Sequence, residues 1–250
     1  MYFTDFARTI LPKPMRQWLR GKQRRYRLQW TRAGTVDFGQ LRRLTPISRA
    51  FGFDRGLAID RYYIEQFLSD NASDIQGRVL EMGDDFYTRK FGGHRVRQAD
   101  VLHVVEGNPA ATIVADLTRA DHVPSDIFDC IVLTQTLQMI YDAPAAVRHL
   151  HRILKPGGVL LTSAHGISKI ARREKIDDWG EYWHFTSQSL GRILADVFSP
   201  NNVKVNACGN VLAAIAYLHG LAAEELGDDE LNTCDPDYEV LLTARAIKSA

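Results

Sequence analysis

The sequence predicts an α/β fold: a doubly wound, mostly parallel seven-stranded sheet with an antiparallel last strand, preceded by a basic N-terminal helical arm or cap. Three observations predict it. From residue 78 onward, strand-like apolar runs alternate with helical ones, which implies right-handed crossovers and a sheet covered on both faces. An acid closes each of the first three strand runs: Glu81, Asp100 and Asp116. The first run passes directly into Gly83, a turn at the edge where Rossmann-like sheets bind ligands.

Taken in order, residues 1–57 form the arm and 58–250 the body. Residues 1–50 hold twelve Lys/Arg against Asp5 and Asp37, a net of +10, while the remainder nets −9. Pro12, Pro14, Gly21, Gly34 and Pro46 punctuate the arm, leaving short helical pieces around 13–28. The run 59–68 has helical spacing, with Ile64, Phe67 and Leu68 on one face. Strands are expected at 78–83, 95–100, 111–116, 129–134 and 158–163. A helix over 145–154 stops at Lys155-Pro156-Gly157-Gly158, cations in its last turn followed by proline and glycine. A further helix covers 187–197 with Ser187 as cap, and strands follow at 203–207 and 238–247 with a long helix, 210–226, between them.

With 45% hydrophobic and 24% charged residues, the chain has ample material for a core. Cys130, Cys208 and Cys234 are odd in number and lack C-x-x-C spacing, so neither a disulfide framework nor a zinc site is expected. A reducing, cytoplasmic setting fits. No signal-peptide pattern opens the sequence and no apolar run reaches the ~18 residues of a membrane span. No set of His, Asp and Glu has convincing metal-ligand spacing, so no metal ligand is assigned and metal dependence stays open.

The chemistry is expected at Glu81-Met82-Gly83-Asp84-Asp85-Phe86-Tyr87. Asp85 takes the second glycine position of G-x-G-x-x-G, where a pyrophosphate would be approached, and a carboxylate repels it. A cradle of Glu81, Asp84 and Asp85 suits a cation without phosphates, such as S-adenosylmethionine with its sulfonium and ammonium. Asp100 falls 19 residues after Glu81, near the ~20-residue offset of a ribose-binding acid. Asp116, with Leu117 beside it, is expected at the adenine amino edge. The competing reading is that such acids merely cap the turns after their strands.

These residues resemble a class I S-adenosylmethionine-dependent methyltransferase. Residues 78–83 match motif I, 128–134 the motif IV strand, and Leu154-Lys155-Pro156-Gly157-Gly158-Val159-Leu160 the turn before strand five. Glu181-Tyr182-Trp183-His184-Phe185-Thr186 is similar to the W-x-F-T segment that closes over substrate. Phe51-Gly52-Phe53-Asp54-Arg55-Gly56 with 59–68 and 81–93 resembles stand-alone methyltransferase domains associated with glycosyltransferases and surface-glycan assembly. Two features depart from the pattern: the glycine loop, and a connection between strands two and three shortened to a helix at 101–110 containing Gly107-Asn108-Pro109.

The resemblance implies cofactor contacts from Arg61 and Tyr62 to a methionine carboxylate, from Glu81, Gly83, Asp85, Asp100, Val101, Asp116 and Leu117, and from Thr134 and Gln135 at the transfer site. Gln138 stands where many relatives have histidine. His184 and His165 are the candidate bases for an alcohol acceptor. The implied acceptor is a sugar hydroxyl of a glycan or glycoconjugate, with a glycosyltransferase as the implied partner. Rival readings are a small natural product, an RNA, or a catalytically silent partner protein. The basic, aromatic arm has three readings, ranked in this order: packing on the acidic body, holding an anionic substrate or membrane surface, and RNA binding.

Overall fold

A computed structural model of the chain describes residues 36–171 and 180–249. The chain divides into two units at Leu44/Thr45. In the first, the described part holds one 3-10 turn, Gly39–Leu41, and the Arg42 guanidinium lies 5.2 Å from the Phe38 ring. The helical pieces expected around 13–28 lie outside the described residues. Residues 45–57, expected in the arm, belong instead to the second unit. There the Ile47 and Ser48 N–H groups donate to the His219 carbonyl, and the Leu57 carbonyl accepts from Ala223 at 2.7 Å.

Seven strands make one sheet in the second unit: β1 (Gly77–Met82), β2 (Val96–His103), β3 (Ile113–Val114), β4 (Phe128–Thr134), β5 (Leu154–His165), β6 (Val203–Cys208) and β7 (Leu241–Ile247). Their order is β3-β2-β1-β4-β5-β7-β6. The pairs from β3 through β5 are parallel, and β7 runs antiparallel to both β5 and β6. The strand order therefore reverses between β1 and β4, which opens a crevice at their carboxyl ends.

Helices cover both faces. Beneath one lie α2 (Ala143–Ile153) and α3 (Ser187–Phe198), whose Val147, Leu150, Leu190 and Leu194 pack on Leu80, Ile131, Leu133 and Leu160. Against the other lie α1 (Ile59–Asp70), α4 (Val211–His219) and α5 (Asp228–Asn232), where Ile64, Leu68, Tyr217 and Leu231 meet Val79, Val132 and Leu161. Asp142 caps α2 by accepting from Ala145 N–H at 2.9 Å. After α2 the chain enters β5 without a loop. Gly157 takes φ +77°, and its N–H reaches the Lys248 carbonyl at 2.8 Å, so the turn becomes a bulge inside the sheet.

Several boundaries differ from expectation, among them β3, which covers only 113–114 of the expected 111–116, and β5, which runs over 154–165 rather than 158–163. The long helix over 210–226 stops at His219, because Gly220 is left-handed (φ +68°) and the Ser48 carbonyl fills the space its Cβ would need. The cap of α3 is Thr186, not Ser187: Thr186 Oγ1 accepts from Ser189 N–H at 3.2 Å. Residues 101–110 form no helix, since 101–103 continue β2 and the rest is turn. The strand expected at 238–247 begins at Leu241, after a turn closed by Tyr238 N–H on the Asp235 carbonyl.

Candidate active site

At the end of β1, Gly83 takes φ +83°, and a Cβ there would meet nothing within 4 Å. The space above it is open. The Asn108 amide fixes its carbonyl at 2.6 Å. Beyond Gly83 the chain makes a short helical stretch, 86–92, whose first three N–H groups are taken by the protein's own acids. Asp84 accepts from Phe86 N–H at 3.0 Å, and the buried Glu81 accepts from Tyr87 and Thr88 at 3.1 and 2.7 Å. A phosphate would need those donors, and they are occupied. Burial pushes the Glu81 carboxyl up to about 7, outweighing the hydrogen bonds that pull it down.

The expected cradle of three acids does not form. Asp85 pairs with Arg89 Nε at 2.6 Å along the turn, and that pair holds its carboxyl below the usual range. Asp100 is not at its strand's end either. It sits level with Leu80, three residues before His103, with its carboxylate buried and held by Arg78 Nε at 2.7 Å, Gln98 and the Thr112 hydroxyl. The ribose role assigned to it is therefore corrected. The Val101 and Leu117 side chains are buried in the core. Asp116 follows the turn-capping reading: one oxygen accepts from both the N–H and hydroxyl of Thr118 at 2.8 Å. Tyr62 donates its hydroxyl to Asn232 Oδ1 at 3.1 Å.

Arg61 lies on α1. Its guanidinium donates to Tyr87 Oη at 2.8 Å, directly beside the loop, and lies 5.9 Å from the Phe53 ring. The preceding Asp60, which sequence reasoning missed, is buried and begins a polar chain across the crevice. Gln135, at φ +48° just after Thr134, donates to Asp60 Oδ2 at 3.1 Å and accepts from Gln138 Nε2 at 2.9 Å. Gln138 Oε1 is buried without a partner. The Gln138 backbone carbonyl accepts from Tyr182 N–H at 2.8 Å, so this chain ends on the closing segment.

The two candidate histidines come together. His165 ends β5 and is buried, and its Nε2 contacts Oε1 of Glu181. His184 Nε2 stands 3.1 Å from the same oxygen, and the two imidazoles are 4.8 Å apart. Glu181 Oε2 accepts from Ala171 N–H. Burial holds His165 below the ordinary histidine range despite Glu181. Beside this cluster, the exposed Tyr141, Tyr182 and Trp183 form a ledge in which Tyr141 stacks on Trp183 and meets Tyr182 edge-on, with the Trp183 indole N–H donating to the Ile140 carbonyl at 3.0 Å. The Glu181-x-x-His184 spacing was the available signal for Glu181; nothing local pointed to Asp60.

A cavity of about 430 Å³ lies at the opposite, amino-terminal end of the strands, between Gly77, Asp129, Lys155 and Arg245. Four of its charges pair as Lys155–Asp129 and Arg245–Asp74, at 2.8 and 2.7 Å.

Residues 41–204 match the family model for a methyltransferase domain, and the chain belongs to that family. It is a methyltransferase. Among solved structures, it is similar to an S-adenosylmethionine-dependent methyltransferase from Mesorhizobium loti (17% identity, 79% of this chain and 100% of that one, TM-score 0.49). It is also similar to the 1,6-didemethyltoxoflavin-N1-methyltransferase of Burkholderia thailandensis (15% identity, 77% and 79%, TM-score 0.48). A third is phosphoethanolamine N-methyltransferase 2 of Haemonchus contortus (12% identity, 81% and 61%, TM-score 0.48). No curated protein matches the chain in sequence. No helix among the described residues is long and apolar enough to cross a membrane.

Proposed function

We infer that this methyltransferase moves a methyl group from S-adenosylmethionine to a hydroxyl oxygen of a sugar or glycoconjugate. The cofactor end of the crevice fits such a donor. Gly83 leaves open space for the adenosyl portion, three N–H groups of the helical stretch are already held by carboxylates, and Arg61, beside the loop, is the cation we assign to the methionine carboxylate. The buried, unpartnered Gln138 Oε1 is an acceptor available to an ammonium. When bound, the cofactor supplies an electrophilic methyl on a sulfonium, whose departure leaves a neutral thioether.

The protein's own contribution is alignment and handling of the hydroxyl proton. In-line displacement gains most from holding the acceptor oxygen against the methyl and excluding water. Thr134 and Gln135 form the floor of that position, and the Asp60–Gln135–Gln138 chain ties it to the closing segment. The Tyr141–Tyr182–Trp183 ledge presents aromatic faces, which suit the C–H faces of a sugar ring. The observation that carries the oxygen acceptor is the convergence of His165 and His184 on buried Glu181 beside this ledge. The +10 balance of residues 1–50 supports an anionic acceptor, a lipid-linked phosphate or a membrane surface, with a glycosyltransferase as the working partner.

The test is transfer of a labelled methyl over a panel of sugar nucleotides and glycans. Label in a methyl ether of one sugar is expected. Label entering only nitrogen acceptors or RNA would overturn the proposed acceptor.

A further inference from the structure

Among the described residues, His165, Glu181 and His184 place three ligand atoms within 4.8 Å of one another. From this geometry we propose that they bind one divalent transition ion of the zinc type, beside the acceptor position. The donor set is two imidazole nitrogens and one carboxylate oxygen. Magnesium and calcium favour all-oxygen shells, whereas two His and one Glu make a three-ligand zinc site that leaves a position open.

The arrangement is built for one centre. Glu181 Oε2 is occupied by Ala171 N–H, which turns Oε1 alone toward both Nε2 atoms. Glu181 and His165 are buried, while the His184 side chain is 37% exposed. Two ligands are thus held by the core, and the third reaches in from the solvent side. Donors bound to one ion at ~2.1 Å stand roughly 3.4 Å apart in a tetrahedron. The 3.1 Å separation of His184 Nε2 from Glu181 Oε1 is already close to this. His165 Nε2 and the same oxygen stand closer than this, so the ion enters by drawing that buried pair apart while the exposed His184 swings to complete the set. A buried carboxylate between two imidazoles also gains more from a dication than from either ring alone.

The ion's task rests on the methyl-transfer reading above; its binding does not. A hydroxyl coordinated at the open position loses its proton more readily. The proton goes to solvent, and the electron pair left on oxygen forms the new O–CH₃ bond. The S–CH₃ bond breaks with its pair retained on sulfur.

The experiment uses the full chain stripped with chelator, titrated with Zn²⁺ by calorimetry and with Co²⁺ by visible absorption, with Mg²⁺ for comparison. One equivalent of Zn²⁺ is expected per chain, with a tetrahedral Co²⁺ spectrum, and at least tenfold weaker Mg²⁺ binding. His184→Ala, at an exposed position, should weaken Zn²⁺ binding about 100-fold with an unchanged thermal melt, and Glu181→Gln should abolish the Co²⁺ bands. No binding, or binding unaltered in both variants, overturns the proposal. Metal binding without affinity for S-adenosylhomocysteine would instead overturn the methyltransferase mechanism while leaving the metal site standing. Full transfer activity in the stripped protein would remove the ion's role in the reaction.

Discussion

Glu81 accepts two backbone hydrogen bonds, yet its carboxyl is pushed up to about 7 because burial dominates. A folded-state value above the ordinary carboxylate range favours the protonated native state. Its contribution to stability is therefore complete below about pH 4.5 and is lost as pH rises through about 7. Glu81→Gln removes that dependence. It adds a fixed cost as well, since an amide presents N–H₂ to one of two backbone donors. The stability difference between wild type and variant should shift by about 3 kcal/mol between pH 4.5 and 8, read from urea unfolding at each pH. Parallel pH profiles would refute the assignment. Gly83→Ala separates binding from folding at the neighbouring position. Its Cβ would meet no atom of the protein, so only the left-handed backbone is penalised, by roughly 1 kcal/mol. The methyl enters the open crevice instead, and affinity for S-adenosylhomocysteine should fall at least tenfold by calorimetry.

Among the elements, α4 shows what a single glycine does. Apolar spacing over 210–226 reads as one long helix, but Gly220 ends it because the backbone there is left-handed and lies against the Ser48 carbonyl. Gly220→Ala should cost roughly 2 kcal/mol from strain and displacement, seen as a lower urea midpoint with an unchanged slope. Ser48 lies 172 residues earlier in the chain, so no local pattern could announce that contact. The same division runs through the site. Strands β1, β4 and β5 and helix α2 were legible because buried parallel strands read as apolar runs and helices carry their caps in sequence. Gly83 and His165 lie at the ends of β1 and β5 and followed from those strands. Asp100 did not, because an acid near a strand's end cannot be told by spacing from one three residues inside it, where Arg78 neutralises it. The His–Glu–His cluster was hidden as well, since β5 and the closing segment supply its members separately. The aromatic ledge gives the closing segment its own prediction. Trp183→Ala should raise the acceptor KM about tenfold with little change in kcat, as loss of one stacking face removes binding common to ground and transition states. A fall in kcat at constant KM would contradict it.

At the scale of the whole molecule, the sheet's reversal between β1 and β4 opens a crevice whose turn donors are closed to phosphate by Asp84 and Glu81. Many doubly wound sheets bind nucleotide phosphates at this same point, where free N–H groups supply the attraction. Here the two carboxylates take those groups before any ligand arrives, so discrimination between cofactors should appear in the stability of the entire fold. A ligand that binds only the native state at 100 times its dissociation constant stabilises by about 2.7 kcal/mol. For a unit of this size that corresponds to a rise in Tm of roughly 5–10 °C. S-adenosylhomocysteine should produce such a rise, whereas ATP and NADH at equal concentration should leave the melt within about 1 °C, because each must seat phosphates on donors already spent. A larger rise with either phosphate-bearing nucleotide than with S-adenosylhomocysteine would mean that the acids yield to phosphate, and the crevice would then belong to a different chemistry.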